Sequence, residues 1–178
     1  MPEAPLPSSS PSPPSPPVEP GPDPRADTGP LPIPGPVLGV GIDLCDVERL
    51  RTAMARTPGM RDRIFSPAEQ EYCERRRDPA ERYAARFAAK EAVLKAMGCG
   101  LGSCAVRDIQ VLNEPTGEPR VVLVDSAADL AARKGVAGWH ISLTHTSSLA
   151  QATAVALGPA PGEAAPTPPS TPGSGPAG

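Results

Sequence analysis

Proline is crowded into both ends of this chain and is nearly absent from its middle. Of 27 prolines, 15 fall in residues 1–36 and 7 in residues 159–178. Proline locks φ and removes a backbone donor, so segments this dense in it form neither a helix nor a sheet interior. Ser, Gly, Ala and Thr fill the gaps, leaving little apolar surface to offset the entropy of ordering. Residues 1–36 and 159–178 are therefore expected to be disordered tails, locally extended where prolines cluster. The run "SSSPSPPSPP" has the composition of an SH3- or WW-type ligand, but reads first as a solvated low-complexity tail. What folds is residues 37–158, one domain's worth of chain.

That stretch is poor in aromatics, with Phe65, Tyr72, Tyr83, Phe87 and Trp139. Its core must use Val, Leu, Ile and Ala, or borrow burial from a partner subunit. No apolar run of about 18 residues exists, so no membrane span is expected. The first residues lack the apolar region of a secretory signal. Cys45, Cys73, Cys99 and Cys104 form no C-x-x-C pair, and four reduced thiols in the cytoplasm are expected. A net charge of −3 gives no bulk attraction to nucleic acid.

Cap and turn signals divide the central stretch. Val37, Leu38, Val40 and Ile42 make an apolar run suited to a buried strand, ended by Asp43. Asp46 is an N-cap for a helix through Val47, Leu50 and Met54, which Pro58 and Gly59 stop. Ser66, Pro67 and Glu69 carry a capping-box signature for a helix over 66–77. Asp78 and Pro79 repeat the cap-then-proline pattern and open a long helix to Met97, terminated by Gly98 and Gly100. The period then changes to two. Residues 106–113 and 119–125 predict a hairpin, 126–135 a short helix, and 138–146 with 149–157 a second antiparallel pair. The order β-α-α-α, then β-β-α-β-β, predicts an α+β fold with helices packed on a small, mostly antiparallel sheet.

In the long helix, Arg86, Lys90, Glu91 and Lys95 interrupt alanines and large apolar residues. At about 100° per residue, Tyr83, Phe87, Leu94 and Met97 form one stripe. Lys90 lies inside it, where it must snorkel or find an anion. Ala85, Ala89, Ala92 and Ala96 form a strip nearly opposite, smooth enough for another backbone to approach. Glu91 and Lys95 occupy the flank between, and alone they read as an i,i+4 ion pair worth about 0.2–0.5 kcal/mol. Asp43, inside "GVGID", is either a helix N-terminus partner, a role Asp46 already fills, or a metal-binding or catalytic group. Two carboxylates with room for water and phosphate oxygens suit Mg²⁺.

Other chemistries are excluded by what is missing. Gly39-x-Gly41 lacks the third glycine of a dinucleotide fingerprint. No G-x-S-x-G elbow surrounds Ser142, which removes a hydrolase triad. His140 and His145 face opposite sides of one strand and share no metal. His145 is placed either to donate to a phosphate or as a solvated turn histidine. Residues 49–63 hold Arg49, Arg51, Arg56, Arg61 and Arg63 against one acid, Asp62, and Arg75, Arg76 and Arg77 add to them. This is a solvated face, or a surface for nucleic acid or an acidic protein; without aromatics it stacks no single-stranded bases.

Together "GVGIDLCDVERL", "RFAAKEAVLKAMGCGLG", "HISLTHT" and the hairpin "NEPTGEPRVVL" resemble the holo-acyl-carrier-protein synthases, the small class of 4′-phosphopantetheinyl transferases. The resemblance covers residues 37–158 and neither tail. It implies that family's fold and reaction: coenzyme A gives its phosphopantetheine arm to a serine of apo-acyl carrier protein, in fatty acid or polyketide biosynthesis. Adenosine 3′,5′-bisphosphate is left. It implies Mg²⁺ on Asp43 and Glu91, Lys95 as a catalytic cation beside the pyrophosphate, and His145 near the nucleotide 3′-phosphate. Glu91 is also the candidate base for the serine proton. The basic helix starting at Arg49 would dock the carrier protein. A homotrimer with sites between subunits is implied too, and would account for the alanine strip and the aromatic-poor core. Two other classes fit parts of the pattern. A non-catalytic module docking an acidic partner leaves Asp43, Glu91 and Lys95 without a role, and a Mg²⁺-dependent nucleotide hydrolase needs no protein acceptor.

Overall fold

The computed structural model describes residues 35–162. Its elements are β1 (Val37–Asp46), α1 (Val47–Arg56), α2 (Met60–Ile64), α3 (Pro67–Glu74) and α4 (Ala80–Ala96). They continue with β2 (Ile109–Asn113), β3 (Pro119–Leu123), α5 (Asp125–Arg133), β4 (Gly138–His145) and β5 (Leu149–Leu157). The α+β class and this order follow the sequence pattern, except for α2 and a short 3₁₀ turn, Val106–Asp108, that replaces the expected start of β2. The tail expectations for residues 1–34 and 163–178 lie outside the described residues. No helix among the described residues is long and apolar enough to cross a membrane.

Caps form where the side chains allow them. Asp46 accepts from the Arg49 N–H at 2.8 Å, and Ser66 and Glu69 make a reciprocal capping box. Asp78 accepts from the Ala80 N–H at 3.1 Å, so Pro79 becomes the N-cap and α4 starts one residue later than the cap-then-proline pattern suggests.

β1, β5 and β4 form one antiparallel sheet with β5 in the centre, and β2 and β3 form a separate hairpin. The sequence pattern pairs β4 with β5 but does not reveal β1 as the third strand. β1 does not end at Asp43. Its ladder to β5 continues past Asp43, opposite Ala152, to Asp46, opposite Leu149.

α4 crosses this sheet on its alanine strip. Ala89 and Ala92 are fully buried, as are Ala150, Ala154 and Ala156 of β5. A Cβ added at Gly41 would come within 2.0 Å of the Ala92 carbonyl oxygen, and one at Gly39 within 2.2 Å of that of Ala96. The alanine strip is thus covered by the chain's own sheet rather than by a neighbouring subunit, which corrects the expectation. The apolar run of β1 is also corrected. Val37, Leu38, Val40 and Ile42 are 47–57 % exposed, because alternation turns Leu38, Val40 and Ile42 away from α4.

The opposite face of α4 meets α3 and β2. Tyr83 packs on Phe65 with ring centroids 4.7 Å apart. Lys90, fully buried, finds the anion it needs. Its ammonium donates to Glu69 Oε2 at 2.9 Å and to the Val106 and Ile109 carbonyls. Glu69 accepts in turn from the Ser66 N–H at 2.8 Å and the Val111 N–H at 3.0 Å. One ion pair ties α3, α4, the 3₁₀ turn and β2 together. Burial pulls the Lys90 pKa down while Glu69 opposes the shift.

Removing one partner of a buried pair leaves a buried charge uncompensated. Lys90→Met is expected to destabilise the chain by about 3–5 kcal/mol, read as a lower urea midpoint at unchanged slope. An unchanged midpoint would show that this pair does not anchor the fold.

Candidate active site

The contact of Gly41 with Ala92 sets the register of everything near it. Asp43 is two residues beyond Gly41 on the same face of β1, and Glu91 and Lys95 immediately precede Ala92 and Ala96 on α4. The carboxylate of Asp43 is thereby brought to the flank of α4. Lys95 Nζ donates to Asp43 Oδ1 at 2.7 Å and to the Ile42 carbonyl at 3.1 Å. The local i,i+4 pairing of Lys95 with Glu91 does not form, because the strand offers the lysine a better partner.

Glu91 is left without one. Its Oε1 is buried and has no hydrogen-bond partner. Burial raises its pKa above the usual carboxylate range, the Asp43 charge raises it further, and Lys95 opposes both. An unsatisfied buried acceptor costs about 1–3 kcal/mol, and more when charged. Two carboxylates, one with an orphaned oxygen, are a donor set for a hard divalent cation, and Mg²⁺ typically takes one or two carboxylates and keeps several waters. Among the described residues no group of three or more His, Cys, Asp or Glu side chains is arranged to hold a metal ion; a carboxylate pair would suit an ion that keeps much of its hydration.

Asp43 and Glu91 line a cleft of about 370 Å³ with Cys45 and Arg49, walled by Leu50, Met60, Phe87 and Leu101. The Cys45 thiol is disfavoured as a thiolate. Burial, then Asp43 and Asp46, push its pKa up to about 11, which leaves it protonated at neutral pH.

His145 is elsewhere. It lines a second cleft of about 660 Å³ with Arg76, Arg77, Arg82 and Arg86, and its Nδ1 lies 3.6 Å from Glu81 Oε2. Arg82 and Arg86 project from the flank of α4 nearly opposite Phe87 and Glu91, at about 100° per residue. One chain therefore does not bring His145 to the carboxylates. Sequence reasoning gave Arg82 and Arg86 no role. The available signal was Arg86 itself, one of the charges that interrupt the alanines and large apolar residues of the helix, which the fold leaves 5 % exposed.

The basic stretch is thinner than its composition implies. Arg51 is held by Glu48 at 2.9 Å and by both oxygens of Asp78, and Arg61 by Glu74 at 2.6 Å. Arg75 pairs with Glu71, and Arg76 and Arg77 face the His145 cleft. Arg49, Arg56 and Arg63 remain exposed, and Arg49 lies at the cleft of Asp43 and Glu91 rather than apart from it.

A carboxyl whose pKa is raised by folding stabilises the fold fully below its unfolded value, and that contribution is lost as pH climbs through the folded value. Glu91→Gln removes the penalty of the ionised form. In the presence of chelator it is expected to raise the melting temperature at about pH 7 and to change it little at about pH 4. A variant no more stable than wild type at either pH would contradict the strained carboxylate.

A family model described as the 4′-phosphopantetheinyl transferase superfamily matches residues 39–153. A holo-[acyl-carrier-protein] synthase of Desulforudis audaxviator is 49% identical over 124 residues, covering 69% of this chain and 95% of that protein. Among solved structures, the holo-ACP-synthase from Plasmodium yoelii aligns with a TM-score of 0.61 at 28% identity, covering 68% of this chain and 95% of the other. The Helicobacter pylori holo-[acyl-carrier-protein] synthase, in complex with coenzyme A, aligns with a TM-score of 0.59 at 26% identity, covering 66% and 98%. Asp43, Glu91, Lys95 and His145 all fall within the matched residues, and the chain belongs to the holo-[acyl-carrier-protein] synthases of the 4′-phosphopantetheinyl transferase superfamily.

Proposed function

We propose that this chain transfers the 4′-phosphopantetheine arm of coenzyme A to a serine hydroxyl of apo-acyl carrier protein, releasing adenosine 3′,5′-bisphosphate, in the cleft of Asp43 and Glu91. The observation that carries the reading is the buried, orphaned oxygen of Glu91 beside a second carboxylate. Phosphoryl transfer asks the protein mainly for positioning and neutralisation of charge. Asp43 and Glu91 would hold Mg²⁺, which when bound supplies Lewis-acid neutralisation of pyrophosphate oxygens. Lys95, tethered to Asp43 by its 2.7 Å ion pair, keeps a cation at the cleft edge, where charge develops on the leaving nucleotide. Glu91 takes the serine proton, and burial raises its affinity for that proton. Cation binding lowers the same affinity, so the ligand role limits the strength of the base.

The remaining surfaces suit the partners. Arg49 at the cleft, with the exposed Arg56 and Arg63 further along the same stretch, offers positive charge to an acidic helix of the carrier protein. The stripe of Leu38, Val40, Ile42 and Leu44, 47–61 % exposed, supports assembly through this sheet face. In a homotrimer, His145, Arg82 and Arg86 of one copy meet Asp43 and Glu91 of the next, and the basic cleft takes the nucleotide 3′-phosphate. Four free cysteines support the cytoplasm as the compartment.

The test is to incubate the chain with coenzyme A, Mg²⁺ and apo-carrier protein and weigh the carrier by mass spectrometry. Asp43→Ala and Glu91→Ala are expected to lose more than the roughly 10–100-fold typical of an outer-shell partner of a metal. Transfer that survives exhaustive chelation would remove Mg²⁺, and nucleotide release without a heavier carrier would indicate a hydrolase. Arg49→Glu should raise the KM for the carrier more than that for coenzyme A, because Arg49 lies at the cleft. An equal rise in both would move Arg49 to the nucleotide.

Sedimentation of the wild-type chain should report a trimer, and Ile42→Glu, in the middle of the exposed stripe, should yield folded monomers without transferase activity. A wild-type monomer with full activity would rule out the shared site.

A further inference from the structure

We propose that Tyr72 is a positioning residue that aims Arg82 and Arg86 at the 3′-phosphate of coenzyme A, and so sets the preference for coenzyme A over its 3′-dephospho form. The proposal rests on the His145 cleft being the nucleotide-phosphate site. Tyr72 comes from α3, and the two arginines sit one turn apart on α4. The Arg86 guanidinium lies over the Tyr72 ring at 4.0 Å from its centroid, and that of Arg82 at 4.4 Å. The Tyr72 backbone carbonyl also accepts from Arg82 Nη1 at 2.7 Å. Asn113 braces the other arginine, its Oδ1 accepting from Arg86 Nη2 at 2.6 Å. Tyr72, Arg82, Arg86 and Asn113 line one cleft with His145.

Two cations four residues apart on a helix repel each other, and a long arginine side chain has many rotamers to choose from. The negative face of an aromatic ring attracts both guanidinium groups, most strongly where water is excluded. Tyr72 therefore holds against one ring two charges that would otherwise separate.

What the pair lacks is an anion. Arg86 is buried and its Nε has no hydrogen-bond partner. Among the described residues no carboxylate pairs with either guanidinium. The acids that border the cleft face other groups, Asp78 pairing with Arg51 at 2.8 Å and Glu81 Oε2 lying 3.6 Å from His145 Nδ1. A braced arginine pair with open donors matches the oxygens of a phosphate dianion. The 3′-phosphate is the one group that coenzyme A has and 3′-dephospho-coenzyme A lacks. The ring and the carbonyl make these contacts, so the phenol hydroxyl is dispensable.

The experiment measures KM and kcat for coenzyme A and for 3′-dephospho-coenzyme A in the full chain, with the melting temperature of each variant. Tyr72→Leu is expected to raise the KM for coenzyme A about tenfold, equivalent to about 1.4 kcal/mol. Its KM for the dephospho form and its kcat on both should stay within about twofold of wild type. Tyr72→Phe should restore the wild-type preference. If the leucine variant loses its melting transition, Tyr72→Met repeats the test with apolar bulk and no ring. Equal rises in KM for the two substrates, or a common fall in kcat, would make Tyr72 structural and overturn the proposal. Arg86→Gln separates this from the underlying reading. If it erases the preference while Tyr72→Leu keeps it, the cleft assignment stands and the role of Tyr72 falls. If Arg86→Gln itself keeps the preference, the cleft is not the phosphate site and both fall.

Discussion

Where β1 meets α4, backbone touches backbone, and the candidate active site follows from that contact. Gly39 and Gly41 face Ala96 and Ala92 so closely that one added methyl at Gly41 would overlap a carbonyl oxygen at 2.0 Å. Glycine is the residue that admits such an approach. Bulkier side chains would lift the helix off the sheet, and the short side chain of Asp43 could not follow it. At the observed separation Lys95 reaches Asp43 at 2.7 Å, and Glu91 lines the same cleft. Stability and site geometry thus rest on the same small residues, which also explains how a core this poor in aromatics closes.

Lys90 and Glu91 are neighbours in the chain and opposites in their environment. Lys90 is fully buried on the core face and donates to three oxygens. Glu91, one residue on, keeps a buried oxygen with no partner, and burial raises its pKa. A satisfied buried network holds a fold in one arrangement. A titratable group with a shifted pKa and an open partner position, in a cleft, marks a functional site. The helix therefore carries one charge that builds the structure and another whose unmet demand marks the candidate site.

The same helix separates two clefts. One flank carries Glu91 toward Asp43, and the other carries Arg82 and Arg86 toward His145. A single chain holds both sets of groups and keeps them apart, while its sheet presents an uncovered apolar face. The shared site proposed above would account for both features at once, since burying the apolar face and joining the two clefts would be one event.

Local order was legible in the sequence because it depends on neighbours in the chain. The caps at Asp46 and Ser66 formed as their side chains predicted, and the change of period after α4 located the second half. The two packed faces of α4 were legible too, as was the choice of Lys90 between snorkelling and finding an anion. The motifs around Asp43, Glu91, Lys95 and His145 identified the family before any geometry was known. Partnership was not legible, since charges pair across distances that composition does not encode. Lys95 answers to Asp43, 52 residues away, instead of Glu91. Arg51 and Arg61 are held by Asp78 and Glu74, 27 and 13 residues away, which thins the basic surface to Arg49, Arg56 and Arg63. The sequence by itself determined most of the elements, the candidate residues and the family, because torsional preference, capping and motif spacing act along the chain. Only the tertiary structure decided which charges meet, which oxygen stays unsatisfied and which face of β1 is bare, because those depend on how closely one glycine-lined strand can approach one alanine-lined helix.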